Sequence, residues 1–277
     1  MGITIDPSMH NSQPNSFPAV SLFDLISDTP QEANNIMELI EGRIGLDGEL
    51  IKDAKNSKFV SSSSNSAFGL LVLALGDKDR AEKIREGIER RIGFDGELVR
   101  VGETEKRELF TRDNALYGLF VLALGDKDRA EEIRNGIERR IGFEIFIRHS
   151  DRDRRVLYQS LIPYALLNLS LGEEKGLVTD LRDYIHLDTL FGSNLIGAGP
   201  KDSGIISVPN CLKFLLDFSL GLANLGHIEE IKEEIGLEDG LIKGGVNYNR
   251  ILSLPNSLYA LSNVPNKFLE LISHRGG

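Results

Sequence analysis

Residues Gly76–Phe94 read GDKDRAEKIREGIERRIGF, and 49 residues further on Gly125–Phe143 read GDKDRAEEIRNGIERRIGF. The two differ only at Lys83/Glu132 and Glu86/Asn135. The likeness extends upstream, with FGLLVLAL at Phe68–Leu75 against YGLFVLAL at Tyr117–Leu124. A period of this length marks a structural repeat. Fainter copies end at Gly172 (ALLNLSLG) and Gly221 (LLDFSLG). An Asn precedes the apolar runs at Asn15, Asn65, Asn114, Asn210 and Asn256. The phrase Ser-x-Pro-Asn-Ser/Cys recurs at 12–16, 207–211 and 253–257, tying both ends of the chain to its middle. Six units follow, at about 12–44, 61–92, 110–141, 157–185, 207–236 and 253–274, in one domain.

Each unit reads as two helices. The first, such as 114–124, is apolar nearly all round, the mark of a helix buried on every side. The second, such as 127–141, sets Ala130, Ile133, Ile137 and Ile141 on one stripe, the mark of an outer amphipathic helix. Inner helices are expected near 15–27, 65–75, 114–124, 157–171, 210–221 and 256–262. Outer helices are expected near 31–44, 78–92, 127–141, 174–185, 227–236 and 265–273. Each Asn reads as an N-cap, its side-chain oxygen accepting from a free backbone N–H. The Gly-Asp junctions at 76–77 and 125–126 read as tight turns. The fold class is therefore all-α, two concentric layers of hairpins. The first inner helix is as apolar as the middle ones, which favours a closed ring over an open array with polar caps.

Two layers of six hairpins resemble the α/α toroids. One branch is the six-hairpin glycosidases. Another is the prenyltransferase and terpenoid cyclase group, with an Asp-Gly-Gly-aromatic turn before the inner helix. Ile92–Leu98 (IGFDGEL) is similar to that turn in placement. The glycosidase resemblance implies a carbohydrate-active enzyme using acidic residues. The isoprenoid resemblance implies a zinc site from Asp, Cys and His. Cys211 and Asp202 fall near the required places, but unit six has no His in 255–260.

The chain has 277 residues, 41% hydrophobic and 27% charged, with a formal charge of −10. That acidity opposes general nucleic-acid binding, which leans on Lys and Arg at phosphates. The one cysteine, Cys211, allows no internal disulfide and reads as a small buried residue. No signal peptide, myristoylation signal or run long enough to span a bilayer is seen, so no membrane partner and a cytoplasmic setting are expected. There is no P-loop, dinucleotide-binding glycine motif, His-Glu-x-x-His or nucleophile elbow, so no cofactor and no metal are expected.

Outer-to-inner connections such as 93–113 and 142–156 are long, and all lie over the inner-helix N-termini. Loops of this length are usually functional, and helix N-termini carry partial positive charge. Within these loops, residues shared by every copy serve the copy. Asp47-Gly48, Asp95-Gly96 and Asp239-Gly240 therefore read as turns. Residues that break the repeat are freer to act. Arg112-Asp113 stands where other copies have Ser64, Pro209 and Pro255. Asp113 is a candidate general acid or base, with Glu97, Glu103 and Glu108 as sources of a second carboxylate. In Arg148–Arg155, His149, Asp151 and Asp153 are potential metal ligands, and Arg152 and its neighbours could hold an anion. Tyr248, Asn249 and Arg250 offer further donors in the last loop. The expected partner is a small-molecule or glycan ligand, a sugar or anionic sugar derivative bound at the long-loop face. The rival readings are a non-catalytic binding or interaction toroid and, in third place, an isoprenoid enzyme. Against the sugar reading stands the absence of Trp.

Overall fold

The computed structural model describes residues 28–103, 108–142, 148–152, 157–172, 195–196, 206–222, 226–246 and 248–273. The inner helices among these are α2 (Ser62–Ala74), α4 (Thr111–Ala123), α6 (Tyr158–Ser170), α7 (Ser207–Ser219) and α9 (Ser253–Leu261). The outer helices are α1 (Pro30–Arg43), α3 (Lys78–Gly87, running on through a π-turn to Ile92), α5 (Lys127–Arg140) and α8 (Gly226–Ile235). The chain ends on α10 (Pro265–Ile272). The expected inner helix at 15–27 and outer helix at 174–185 lie outside the described residues.

Each inner helix packs on the next, α2 on α4, α4 on α6, α6 on α7 and α7 on α9, and α9 packs back on α2. The ring is closed. Glycines let the helices approach: a Cβ on Gly69 would sit 2.3 Å from the Phe120 ring, and one on Gly118 would sit 2.9 Å from Leu167. Those two contacts are copies of each other, which is how a sequence repeat becomes a repeated crossing. Outside the ring, α3 packs on α2, α5 on α4 and α8 on α7, each burying its apolar stripe.

The unit of α9 is assembled from the two ends of the described chain. Its outer helix is α1. Thr29 donates its N–H to Asn263 O at 2.7 Å, and Asp28 accepts from the Asn266 N–H at 3.0 Å. These bonds replace the covalent turn that elsewhere joins inner to outer helix. In those covalent turns Gly76 and Gly125 take φ of 94° and 97°, and Asp77 and Asp126 cap the outer helices, as their sequence suggests.

Three expectations change. First, 265–273 is not an outer helix. It touches α2, α4 and α7, helices from both sides of the ring, so α10 lies across one end of it, burying Phe268 and Ile272. Second, the long connections are not plain loops. Three of them fold into β-hairpins or a small sheet: β1 (Leu46–Asp47) with β2 (Leu50–Ile51), β3 (Phe94–Asp95) with β4 (Leu98–Val99), and β5 (Leu237–Glu238) with β6 (Leu241–Gly245) and β7 (Tyr248–Ile251). The Asp-Gly motifs are their turns. Gly48 and Gly96 have φ of 64° and 61°, and Asp239 and Gly240 both have positive φ. Such backbones match the twist of a two-residue hairpin.

Third, the recurrent Asn is not an N-cap in the described helices; Asn15 lies outside the described residues. The inner helices begin three residues earlier, and each Asn lies inside the first turn. Its amide clasps the hairpin strand instead. Asn65 Oδ1 accepts the Ile51 N–H at 2.7 Å, while its Nδ2 donates to Ile51 O and Ser61 O. Asn114 holds Val99, Asn210 holds Ile196 and Asn256 holds Ile242 in the same way. No side-chain cap is needed at most of these helices because a neighbouring strand supplies the acceptor. Ser62 N donates to Val101 O, Thr111 N to His149 O and Ser253 N to Asp53 O. Ser61 alone among the described inner-helix N-caps accepts with its side chain, from Ser64 N.

Candidate functional site

The strands clasped by Asn65, Asn114 and Asn256 run on for two residues to Asp53, Val101 and Gly244, each at a corner between inner helices. Bridges from Ala54 to Leu252, Gly102 to Ser61, Ser150 to Phe110 and Gly245 to Ile206 put these exits in register. The corner residues are therefore Asp53, Val101, His149 and Gly244. They are equivalent by position and unlike in chemistry.

A cavity of about 400 Å³ opens at this end of the ring. Asp53, Val101 and Gly244 line it, as does the second residue of every described inner helix: Ser63, Arg112, Gln159, Val208 and Leu254. It therefore lies on the long-connection face, over the inner-helix N-termini. Ser61, Ser64, Phe59 and Tyr248 complete much of the rest of its wall.

Asp53 is the acidic group in that wall. Its Oδ1 accepts from Ser61 Oγ at 2.7 Å and from the Ser61 N–H at 3.2 Å. Burial raises its carboxyl above the ordinary value of 3.8; the serine hydrogen bonds oppose the rise and the nearby Asp113 charge adds to it. Asp113 is fully buried. Its Oδ1 accepts from Arg112 Nε at 3.1 Å, while Oδ2 has no partner among the described residues. The Arg112 guanidinium reaches on to Gln159 Oε1 at 3.2 Å, so Asp113 and Gln159 fix an arginine in the cavity wall.

At the next corner His149 Nδ1 lies 2.7 Å from Ser160 Oγ, with its ring 5.0 Å from that of Phe110. The fold thus brings Arg112, Asp113 and His149 to adjoining inner-helix ends and sets Tyr248 in the cavity lining. It sets the other candidates apart. Glu97 fits against Gly136 on α5 and pairs with Arg139 at 2.8 Å. Glu103 pairs with Arg91, which also holds Asp47. Asp151 accepts the Leu109 N–H at 3.1 Å. Arg152 is exposed, as are Asn249 and Arg250 on β7. Asp153 lies outside the described residues. Cys211 is fully buried, and burial pushes its thiol up to about 12, away from the thiolate a zinc site needs.

Asp53 escaped the sequence reading, although the repeat contains a signal for it. Six residues after Asp47 comes Asp53, and six after Asp95 comes Val101. The break in the repeat is as clean as that at Asp113.

The ring of inner helices, its outer layer and the hairpins over one end have the plan of a known class. The chain has the α/α toroid fold. An endo-β-1,4-glucanase from Acetobacter xylinum shares it with a TM-score of 0.60 at 8% identity, over 87% of this chain and 100% of that one. An α-amylase from Clostridium perfringens does so with a TM-score of 0.62 at 13% identity, over 86% and 98%. An α-1,6-mannanase from Salegentibacter sp. HEL1_6 has a TM-score of 0.56 at 12% identity, over 86% and 99%. No family model matches the chain, and no curated protein is similar to it. At such low identity the likeness is one of fold. Among the described residues no helix is long and apolar enough to cross a membrane.

Proposed function

We propose that this toroid is a carbohydrate-active enzyme of glycosidase type that binds a glycan in the cavity at the inner-helix N-termini. The reading rests on Asp53, a carboxyl in the cavity wall whose pKa is raised by burial. A carboxyl that holds its proton more tightly than an ordinary one suits a general acid, which protonates the leaving glycosidic oxygen. Asp113 is the second carboxylate, with Oδ2 free of partners among the described residues and Oδ1 anchoring Arg112. Positive helix ends around the cavity favour negative charge there. The fold neighbours, named as an endo-β-1,4-glucanase, an α-amylase and an α-1,6-mannanase, support the same class.

A second reading is a non-catalytic glycan-binding ring. It is favoured by the full burial of Asp113 behind Arg112, which leaves Asp53 as the acid that lines the cavity. One experiment separates the two. Reducing-end release is measured on α- and β-linked gluco- and manno-oligosaccharides, with binding measured in parallel. The enzyme reading expects release by the wild type, cut by about 10²–10⁴-fold in Asp53→Asn. Binding without release supports the second reading. Neither binding nor release on any substrate overturns both.

A further inference from the structure

The cavity wall is divided by chemistry. The second residues of α2, α4 and α6, three neighbouring helices, are Ser63, Arg112 and Gln159. Those of α7 and α9, also neighbours, are Val208 and Leu254. The same division extends above them. Asp53, Ser61 and Ser64 stand at the start of α2, with Val101 and Phe59 as apolar breaks there, and Ile206, Leu252 and Pro255 stand at α7 and α9. A repeat that places one side chain per helix around a ring has therefore made one polar arc and one apolar arc.

We infer that the cavity takes an amphiphilic glycoside, with a single hydroxylated ring against the polar arc and an alkyl or aryl group against the apolar arc. This rests on the glycan reading above and names the kind of glycan. A bare sugar would set some of its hydroxyls against Val208, Leu254 and Pro255, which offer them no hydrogen bond, and unpaired buried hydroxyls are costly. An apolar substituent lying there gains free energy from the area it removes from water.

Three further observations fit. Tyr248 lines the cavity and is 43% exposed, so the lining reaches the surface through an aromatic side chain. The cavity, about 400 Å³, is near the lower end for small-ligand sites, enough for one ring and a short chain. Arg112 is paired with Asp113, so the polar arc offers donors without an unbalanced positive charge, which suits a neutral ring better than a phosphate.

The test is calorimetric titration of the full chain with methyl and hexyl glycosides of glucose and mannose, in both anomers, and with hexanol. For at least one sugar, the hexyl glycoside should bind about tenfold or more tightly than its methyl counterpart, and more tightly than hexanol. Tyr248→Ser and Val208→Thr should each shrink the hexyl-to-methyl ratio. Tyr248 is substantially exposed and Thr is close to Val in shape, so these variants are expected to fold. Equal affinity for methyl and hexyl glycosides overturns the inference and leaves the glycan reading standing. So does a hexyl advantage unchanged in both variants. Hexanol binding as tightly as hexyl glycoside overturns the glycan reading, and no binding by any glycoside overturns both.

Discussion

The hairpin-and-helix units around α2 and α4 are the two most alike in sequence, and they differ most at the cavity. Away from it they are nearly superposable in chemistry. Asn65 and Asn114 make the same three bonds, Gly87 and Gly136 make room for Glu49 and Glu97, and Arg90 and Arg139 pair with those glutamates. At the cavity end one unit has Asp53 bonded to Ser61, with Ser64 on α2, and the other has Val101 and the part-satisfied Asp113 at the corresponding positions. Packing holds the shared residues constant, because each serves a crossing that recurs. Asp53 and Val101 line a cavity rather than a recurring crossing and are free to diverge.

If that contrast is right, substitutions should sort by which end they touch. The largest effect is expected on activity. Asp113→Asn should lower glycan turnover by about 100-fold or more, with unchanged circular dichroism. Turnover at the wild-type rate would remove Asp113 from the chemistry. Next in size are the clasps. Asn65→Ala and Asn114→Ala each leave a buried strand N–H and C=O unpaired, at about 2–4 kcal/mol each. Denaturant unfolding should give matching losses, and unequal losses would break the equivalence of the two frameworks.

A smaller effect of opposite sign is expected for Asp53→Val, which writes the residue of one corner into the other. Removing a desolvated carboxyl should raise stability by about 0.5–2 kcal/mol at neutral pH while abolishing turnover. The gain should depend on pH. Because the Asp53 pKa is raised in the folded state, the folded protein takes up that proton first as pH falls. Wild-type stability should therefore improve relative to Asp53→Val as pH drops through the raised value, and the difference should level off below the ordinary 3.8. A gain that stays flat from pH 7 to pH 4 would contradict the raised pKa. Smallest of all, Glu49→Gln and Glu97→Gln should cost less than about 1 kcal/mol, and equally, since each glutamate's arginine partner is largely exposed.

The residues that made the toroid legible are those whose spacing is set by packing, such as Gly69, Gly118 and the apolar runs around them. The hairpins were not legible, because strands of two residues are too short to show alternation. The clasping Asn was seen but misread, since a side chain that bonds a strand 14 residues back looks in sequence like one that caps its own helix. Arg112, Asp113 and His149 stood out by breaking the repeat, and the ring brings them to adjoining helix ends. Asp53 broke it too, but at a position whose register comes from the hairpin.

The Asn clasp occurs on α2, α4, α7 and α9, and α6 has Leu161 at the corresponding place. A leucine offers no amide to a strand backbone. The start of α6 thus lacks the backbone clasp of its neighbours and is held by side-chain bonds instead, Gln159 to Arg112 and Ser160 to His149. Under load or in slow amide exchange, a closed ring parts first where a fastener is missing, and Leu161 marks that seam.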